Sequence, residues 1–227
     1  MKRLKQIQKV ILAGLVILTA ASCMKHHDEP VPAISGLALV HASPDAPAVN
    51  LFIGQNMVNN DIFSYGDNID YVNAYSGARD VYAYVGSDKK VSGKVTLEQG
   101  KMYSLFLAGK WANAEFVLLE DSLFQPDPGK ASIRFLNMSP DAPALDLGLN
   151  DGSTLISNKE YKQNSGFTAV NGNVQYNFVI REHGSTADKI SLPAVTLASG
   201  HIYTIWAKGI YTETGTKGPD GEIIRNY

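Results

Sequence analysis

Beyond residue 36, apolar residues come in short runs, some alternating with polar residues and some unbroken, rich in β-branched and aromatic side chains. In the first half the runs cover 37–41, 49–53, 71–75, 81–85, 94–97, 102–108 and 116–119. In the second half they cover 133–137, 145–149, 167–170, 176–180, 195–197 and 202–208. Gly, Asn, Asp or Pro interrupts them every eight to twelve residues or so, the rhythm of a β-sandwich. No stretch after residue 23 keeps a helical apolar period for three turns, so the predicted fold class is all-β.

The chain also repeats itself. Ser43-Pro44-Asp45-Ala46-Pro47 returns as Ser139-Pro140-Asp141-Ala142-Pro143, and VTLEQGKMYSLFLAGK from Val95 is echoed by VTLASGHIYTIWAKG from Val195. A period of this size implies one supersecondary unit written twice. The offset grows from 96 residues at the first phrase to 100 at the second, which places extra residues in the second copy around 181–189, in a loop. Gln125-Pro126-Asp127-Pro128-Gly129 is the natural joint. The expectation is two tandem immunoglobulin-like β-sandwiches, 36–125 and 130–227, separated by a linker at 126–129 and packed end to end. The tail holds a Gly-Pro-Asp-Gly turn at 218–221 and a final strand at 222–225.

Residues 1–22 form a three-part export signal: Lys2, Arg3, Lys5 and Lys9, then the apolar 10–18, then small residues up to Cys23. The apolar part is too short to span a bilayer, which takes ~20 residues. The small residues before the only cysteine resemble the lipobox of bacterial lipoproteins, with Ala20 where Leu is usual; the resemblance implies cleavage before Cys23 and its acylation. Cleavage by the general signal peptidase, with Cys23 a bystander, is the other reading. Acyl chains then make the membrane contact, each buried CH₂ contributing ~0.8 kcal/mol. Met24 stands where an inner-membrane retention signal has Asp, which implies the outer membrane. Lys25 to Glu29 resembles the charged export signal of Bacteroidetes-type lipoproteins and implies a domain facing outwards; a hydrated tether over 23–35 is the plainer reading.

Removing the signal takes away four cations and no acid, leaving the mature chain about six charges negative. Such a surface repels phosphate backbones, and Lys89, Lys90 and Lys94 form too small a cluster to offset it, which excludes nucleic acid as a partner. No cysteine remains for a disulfide, so the fold must be held by its core alone.

The segment HASPDAPAVNLFIG from His41 resembles the signature of the domain-of-unknown-function 4397 family, found in exported bacterial proteins and often in tandem. The resemblance covers most of 36–210. It implies an all-β fold and an exported setting and brings no known reaction. The chain departs from the pattern at Asn50, where Asp is common and where the second copy has Asp146, and at Asn137, which replaces His41.

His41, Ser43 and Asp45 suggest a hydrolytic set. The structural reading is stronger, because two prolines and two short polar side chains suit a turn between strands and the second copy has no His. Asp45 or Asp141 among oxygen ligands of Ca²⁺ is a lesser alternative without EF-hand spacing. GSDKKVSGK from Gly86 fails as a phosphate loop, since Val95 stands where Ser or Thr is needed, and is expected to be a hairpin loop. Trp206 lies within an apolar run and is expected in the core. Trp111, after a strand end, is the candidate glycan contact, with core packing the alternative. Tyr65 and Tyr161 hold equivalent places and are expected to share a packing role. Asp121-Ser122-Leu123 resembles the O-glycosylation sequon of Bacteroidetes exported proteins, making Ser122 a candidate modification site; a plain linker is the other reading. No metal site, cofactor or catalytic group is expected. The function expected is a lipid-anchored, non-catalytic envelope module that binds proteins or scaffolds a complex, with an accessory glycan-binding lipoprotein as the alternative.

Overall fold

The computed structural model describes residues 32–226; the export signal, Cys23 and the tether as far as residue 31 lie outside the described residues. The first repeat contains β1 (Ile34–Ala42), β2 (Asn50–Ile53), β3 (Asn56–Met57), β4 (Asn68–Tyr75), β5 (Gly77–Val85), β6 (Asp88–Leu97), β7 (Met102–Ala108) and β8 (Glu115–Glu120). The second contains β9 (Lys130–Asn137), β10 (Leu145–Leu149), β11 (Thr154–Lys159), β12 (Thr168–Asn171), β13 (Val174–Tyr176), β14 (Phe178–Glu182), β15 (Ile190–Ser191), β16 (Val195–Leu197), β17 (Ile202–Lys208) and β18 (Asp220–Arg225). The expected all-β class is what the chain adopts. The only helical pieces among the described residues are the 3-10 turns Trp111–Asn113 and Gly215–Lys217.

Each repeat is a sandwich of two sheets. The first pairs a sheet ordered β4-β1-β7-β8 with one ordered β3-β2-β5-β6; the second pairs β12-β9-β17-β18 with β11-β10-β14-β15 and the short β13-β16 ribbon. In both, the first strand lies parallel to a later apolar strand, β1 to β7 with Leu37 beside Tyr103 and β9 to β17 with Ile133 beside Tyr203, and antiparallel to the fourth. A constant-type immunoglobulin sandwich instead places its first, second, fifth and fourth strands in one sheet. The layers match that architecture and the connectivity does not.

The repeats meet face to face rather than end to end. Alternate side chains of β1 and β7 point opposite ways: Leu37, Leu39, Leu105 and Leu107 enter the core of the first repeat, while Val40, Ala42 and Phe106 enter a separate cluster with Leu136, Met138 and Trp206. Ile133, Phe135, Tyr203 and Ile205 face the second core. Four sheets are therefore stacked with three apolar layers between them. The inner strands are buried on both faces, which is why 102–108 and 202–208 read as unbroken apolar runs. Outer strands such as β6 alternate in burial, as a sheet with one wet face must.

The middle cluster is built from equivalent positions. Val40 and Leu136, Ala42 and Met138, and Phe106 and Trp206 correspond in the two copies, and the Phe106 and Trp206 rings meet edge to face with centroids 6.1 Å apart. The repeats thus pack around a pseudo-two-fold axis, the intrachain counterpart of an isologous dimer. The extra residues of the second copy fall where expected: β14 and β15 are joined by residues 183–189, whereas Gly86 and Ser87 alone close the β5–β6 hairpin.

Candidate functional site

Both copies of the SPDAP phrase form the same stapled turn. Ser43 and Ser139 open four-residue turns, closed by the weak contacts Ala46 N–H to Ser43 O and Ala142 N–H to Ser139 O, with Pro44 and Pro140 at the second position where their fixed φ fits. The Ser43 hydroxyl donates to the Gly109 carbonyl at 2.7 Å, and the Ser139 hydroxyl to the Gly209 carbonyl at 2.6 Å. Asp45 accepts the Trp111 N–H at 2.7 Å, and Asp141 the Tyr211 N–H at 2.6 Å. The two turns are thereby tied to the loops that follow β7 and β17. Gly109 and Gly209 receive the staple at φ +93° and +87°, a left-handed conformation that glycine adopts without strain. Pro47 and Pro143 are exposed and lead into β2 and β10.

Asp141 also accepts the Thr212 hydroxyl at 2.7 Å and faces Lys110 of the other repeat at 3.5 Å. Burial raises its carboxyl, but the Thr212 and Tyr211 donors and Lys110 outweigh that and hold it below its ordinary 3.8. These bonds employ the carboxylates on the fold. Among the described residues no group of three or more His, Cys, Asp or Glu is arranged to hold a metal ion.

The structure separates the histidines. His41 is fully buried against Phe63, and neither ring nitrogen has a hydrogen-bond partner among the described residues. Its counterpart Asn137 donates to the Pro143 and Lys159 carbonyls and accepts the Ser139 N–H. Burial lowers the His41 pKa from 6.5. Above pH 6.5 the ring is neutral in both folded and unfolded chains and has no pH effect. Below it the unfolded chain takes up a proton that the buried ring resists, so stability falls as pH falls. His41→Asn should therefore flatten the stability profile on the acid side of pH 6.5, as measured by urea unfolding at pH 7 and 5.5. An unchanged slope would refute this role of His41.

His201 Nδ1 lies 3.1 Å from the Ser199 carbonyl. His183 Nδ1 lies 3.0 Å from the buried Asp146, which also accepts the Asn158 N–H. This is a carboxylate–imidazole pair, and no serine hydroxyl joins it among the hydrogen bonds of the described residues.

Trp206 is fully buried, as its run predicts. Trp111 is half-buried and packs against the first core, its backbone N–H taken by Asp45. Tyr65 and Tyr161 each bury their hydroxyls without a partner among the described residues, Tyr65 beside Lys208 of the second repeat and Tyr161 beside Gly109 of the first. Ser122 is exposed next to the buried Asp121.

Two further groupings escaped the sequence reading. One is a buried polar network between the repeats: Arg134 pairs with Asp121 at 2.6 Å and donates to Thr204 and Ser104, while Tyr71 and Ser104 donate to Asp121. The cavity beside it holds only about 10 Å³, at most one water, so it takes no ligand. The other is the outer face of the first repeat, where Phe52, Tyr82 and Tyr84 lie together with ring centroids 5.0 and 6.4 Å apart. Its signal was Val81-Tyr82-Ala83-Tyr84-Val85, an aromatic at every second position of a strand. A wide surface groove of about 1020 Å³ mixes Asp70 with His201 and Arg225 and so presents no single charge.

Fold and site together define a doubled, all-β sandwich protein whose polar signature residues serve the backbone. The chain belongs to the family described as Domain of unknown function (DUF4397), whose model matches residues 35–148, the whole first repeat and the second as far as β10. No curated protein matches it. Among solved structures it is similar to the C-terminal domain of AlgF from P. aeruginosa, at 25% identity and a TM-score of 0.33, over 43% of this chain and 98% of that one. It is also similar to a family 26 carbohydrate-binding module, from Eubacterium rectale Amy13K in complex with maltoheptaose. There the identity is 9% and the TM-score 0.26, over 85% of this chain and 95% of that one. At these scores neither likeness bears on function.

Proposed function

We propose that this protein is a non-catalytic binding module of the cell envelope, exported and held at the outer membrane by acyl chains on Cys23. The observation that carries the reading is how its polar groups are used. The serines and aspartates that a hydrolase would need are bonded to the Gly109, Trp111, Gly209 and Tyr211 backbone, while the outer face of the first repeat leaves aromatic side chains unspent. Among the described residues no helix is long and apolar enough to cross a membrane. Protein binding or scaffolding is the leading role, because loop ends and edge strands offer contacts to partners without a reaction centre. A glycan-binding role is the second reading, favoured by the ring cluster of Phe52, Tyr82 and Tyr84 rather than by the half-buried Trp111.

Anchoring is tested by Cys23→Ser, which removes the acylated thiol. The variant should leave the membrane fraction and appear among soluble exported proteins; continued sedimentation with membranes would overturn the anchor. Protease treatment of intact cells then reports which way the sandwiches face.

A further inference from the structure

The outer face of the β3-β2-β5-β6 sheet combines aromatic rings with an unpaired cation. Leu51, Val81, Ala83 and Val91 point into the first core, so Phe52, Tyr82 and Tyr84 point outwards, half-buried. Phe52 lies directly across from Tyr82, with the half-exposed Met57 on its other side. On β6 the partners of these positions are Lys89 opposite Tyr84, Ser92 opposite Tyr82 and Lys94 opposite Asp80. The Lys89 ammonium sits 3.8 Å from the Tyr82 ring centroid and 5.8 Å from that of Tyr84. Among the described residues Lys89 is in no ion pair, whereas Lys90 is taken by Asp88 at 3.2 Å and Lys94 has the acidic Asp80 directly across from it. An unneutralised lysine held over aromatic rings stands out in a chain whose mature net charge is about −6.

Building on the glycan reading above, we propose that this face binds an anionic polysaccharide of carboxylated pyranose units. The apolar C–H face of a pyranose packs on an aromatic ring, and its carboxylate then lies within reach of an ammonium held among those rings. A neutral sugar leaves Lys89 without a counter-charge. An acidic peptide would dock more readily on a sheet edge, where backbone groups are free to pair, than on a face that offers only side chains. The duplicate has not kept the arrangement. Gly148, Val179 and Arg181 occupy the positions of Phe52, Tyr82 and Tyr84, and Arg181 is bonded to Asp188 and to the Leu149 carbonyl. The site therefore belongs to the first repeat alone.

The test is affinity electrophoresis of the purified mature protein in gels containing polygalacturonate, its methyl-esterified form, or poly-glutamate. Polygalacturonate should retard the protein, the ester about tenfold more weakly and poly-glutamate not at all. Tyr84→Ala and Lys89→Gln should each weaken polygalacturonate binding about tenfold. Phe124→Ala, at an exposed aromatic outside this face, should not. Circular dichroism identifies any variant that fails to fold, and Lys89→Gln, on the surface, keeps the proposal open to refutation if Tyr84→Ala does. Equal retardation by the acid and its ester would refute the acidic ligand and leave glycan binding standing. Retardation by poly-glutamate alone, or by none of the three, would overturn both.

Discussion

Arg134→Ala should lower the unfolding free energy by about 3–5 kcal/mol, because it leaves the buried Asp121 carboxylate without its cation. The guanidinium and carboxylate side chains are 2% and 0% exposed and 2.6 Å apart. Arg134 also donates to Thr204 at 2.8 Å and Ser104 at 3.2 Å, and stacks over Phe167. Burial, followed by the charge of Asp121, pushes the Tyr71 hydroxyl up, which keeps it a donor to that carboxylate. A urea titration should show a lower midpoint at unchanged slope. Replacing both partners, with Arg134→Met and Asp121→Leu, should restore much of the loss, since an apolar pair of similar volume avoids the desolvation cost. A single-variant loss below about 1 kcal/mol, the size expected of an exposed pair, would contradict the burial. The pair also breaks the internal symmetry. Ala38 holds in the first copy the place of Arg134, and Asn226 holds in the second the place of Asp121, the Asp121 and Asn226 N–H groups donating to the Met102 and Ile202 carbonyls at the starts of β7 and β17. Two first repeats facing each other would bury two aspartates and no arginine, so the charge pattern favours unlike pairing.

Trp206→Ala should cost a similar amount, about 3–5 kcal/mol, through a cavity at the centre of the stack rather than through charge. The indole is fully buried between Phe106, Leu136 and Met138, and rigid sheets on both sides limit collapse. Trp206→Phe should cost much less, because Phe106 shows that a phenyl ring fits the equivalent position and the indole N–H has no partner among the described residues. Thermal unfolding of the two variants side by side decides this. Equal losses would mean that the middle layer does not depend on packing volume.

Strand positions were legible wherever an apolar run was long or ended cleanly: 102–108, 145–149, 195–197 and 202–208 coincide with β7, β10, β16 and β17. The run 176–180 belongs to two strands rather than one. It divides at Asn177 into β13 and β14, and the facing chain divides at Pro193, which has no N–H to give to a ladder. The first copy has no proline there and keeps a continuous β6. Strands β3, β11 and β15 are short or polar and left no periodic trace. The face-to-face packing was written in the unbroken runs of the inner strands, yet Arg134, Ser104 and Thr204 inside those runs meant nothing until the second repeat was placed against them. The turn role of the SPDAP phrase could be read from its prolines, whereas its distant partners Gly109 and Gly209 could not, since they lie 66 and 70 residues away.

The parallel pairing of β1 with β7 has a kinetic consequence. The central pair of each inner sheet joins segments 66 residues apart in the first repeat and 70 in the second, so most of a repeat must be present before its middle can close. Contacts this distant in sequence are slow to form, on the order of milliseconds to seconds in all-β domains. Until then β1, apolar on both sides, has a partner only on its β4 side, and its open edge is the one that most needs shielding from aggregation.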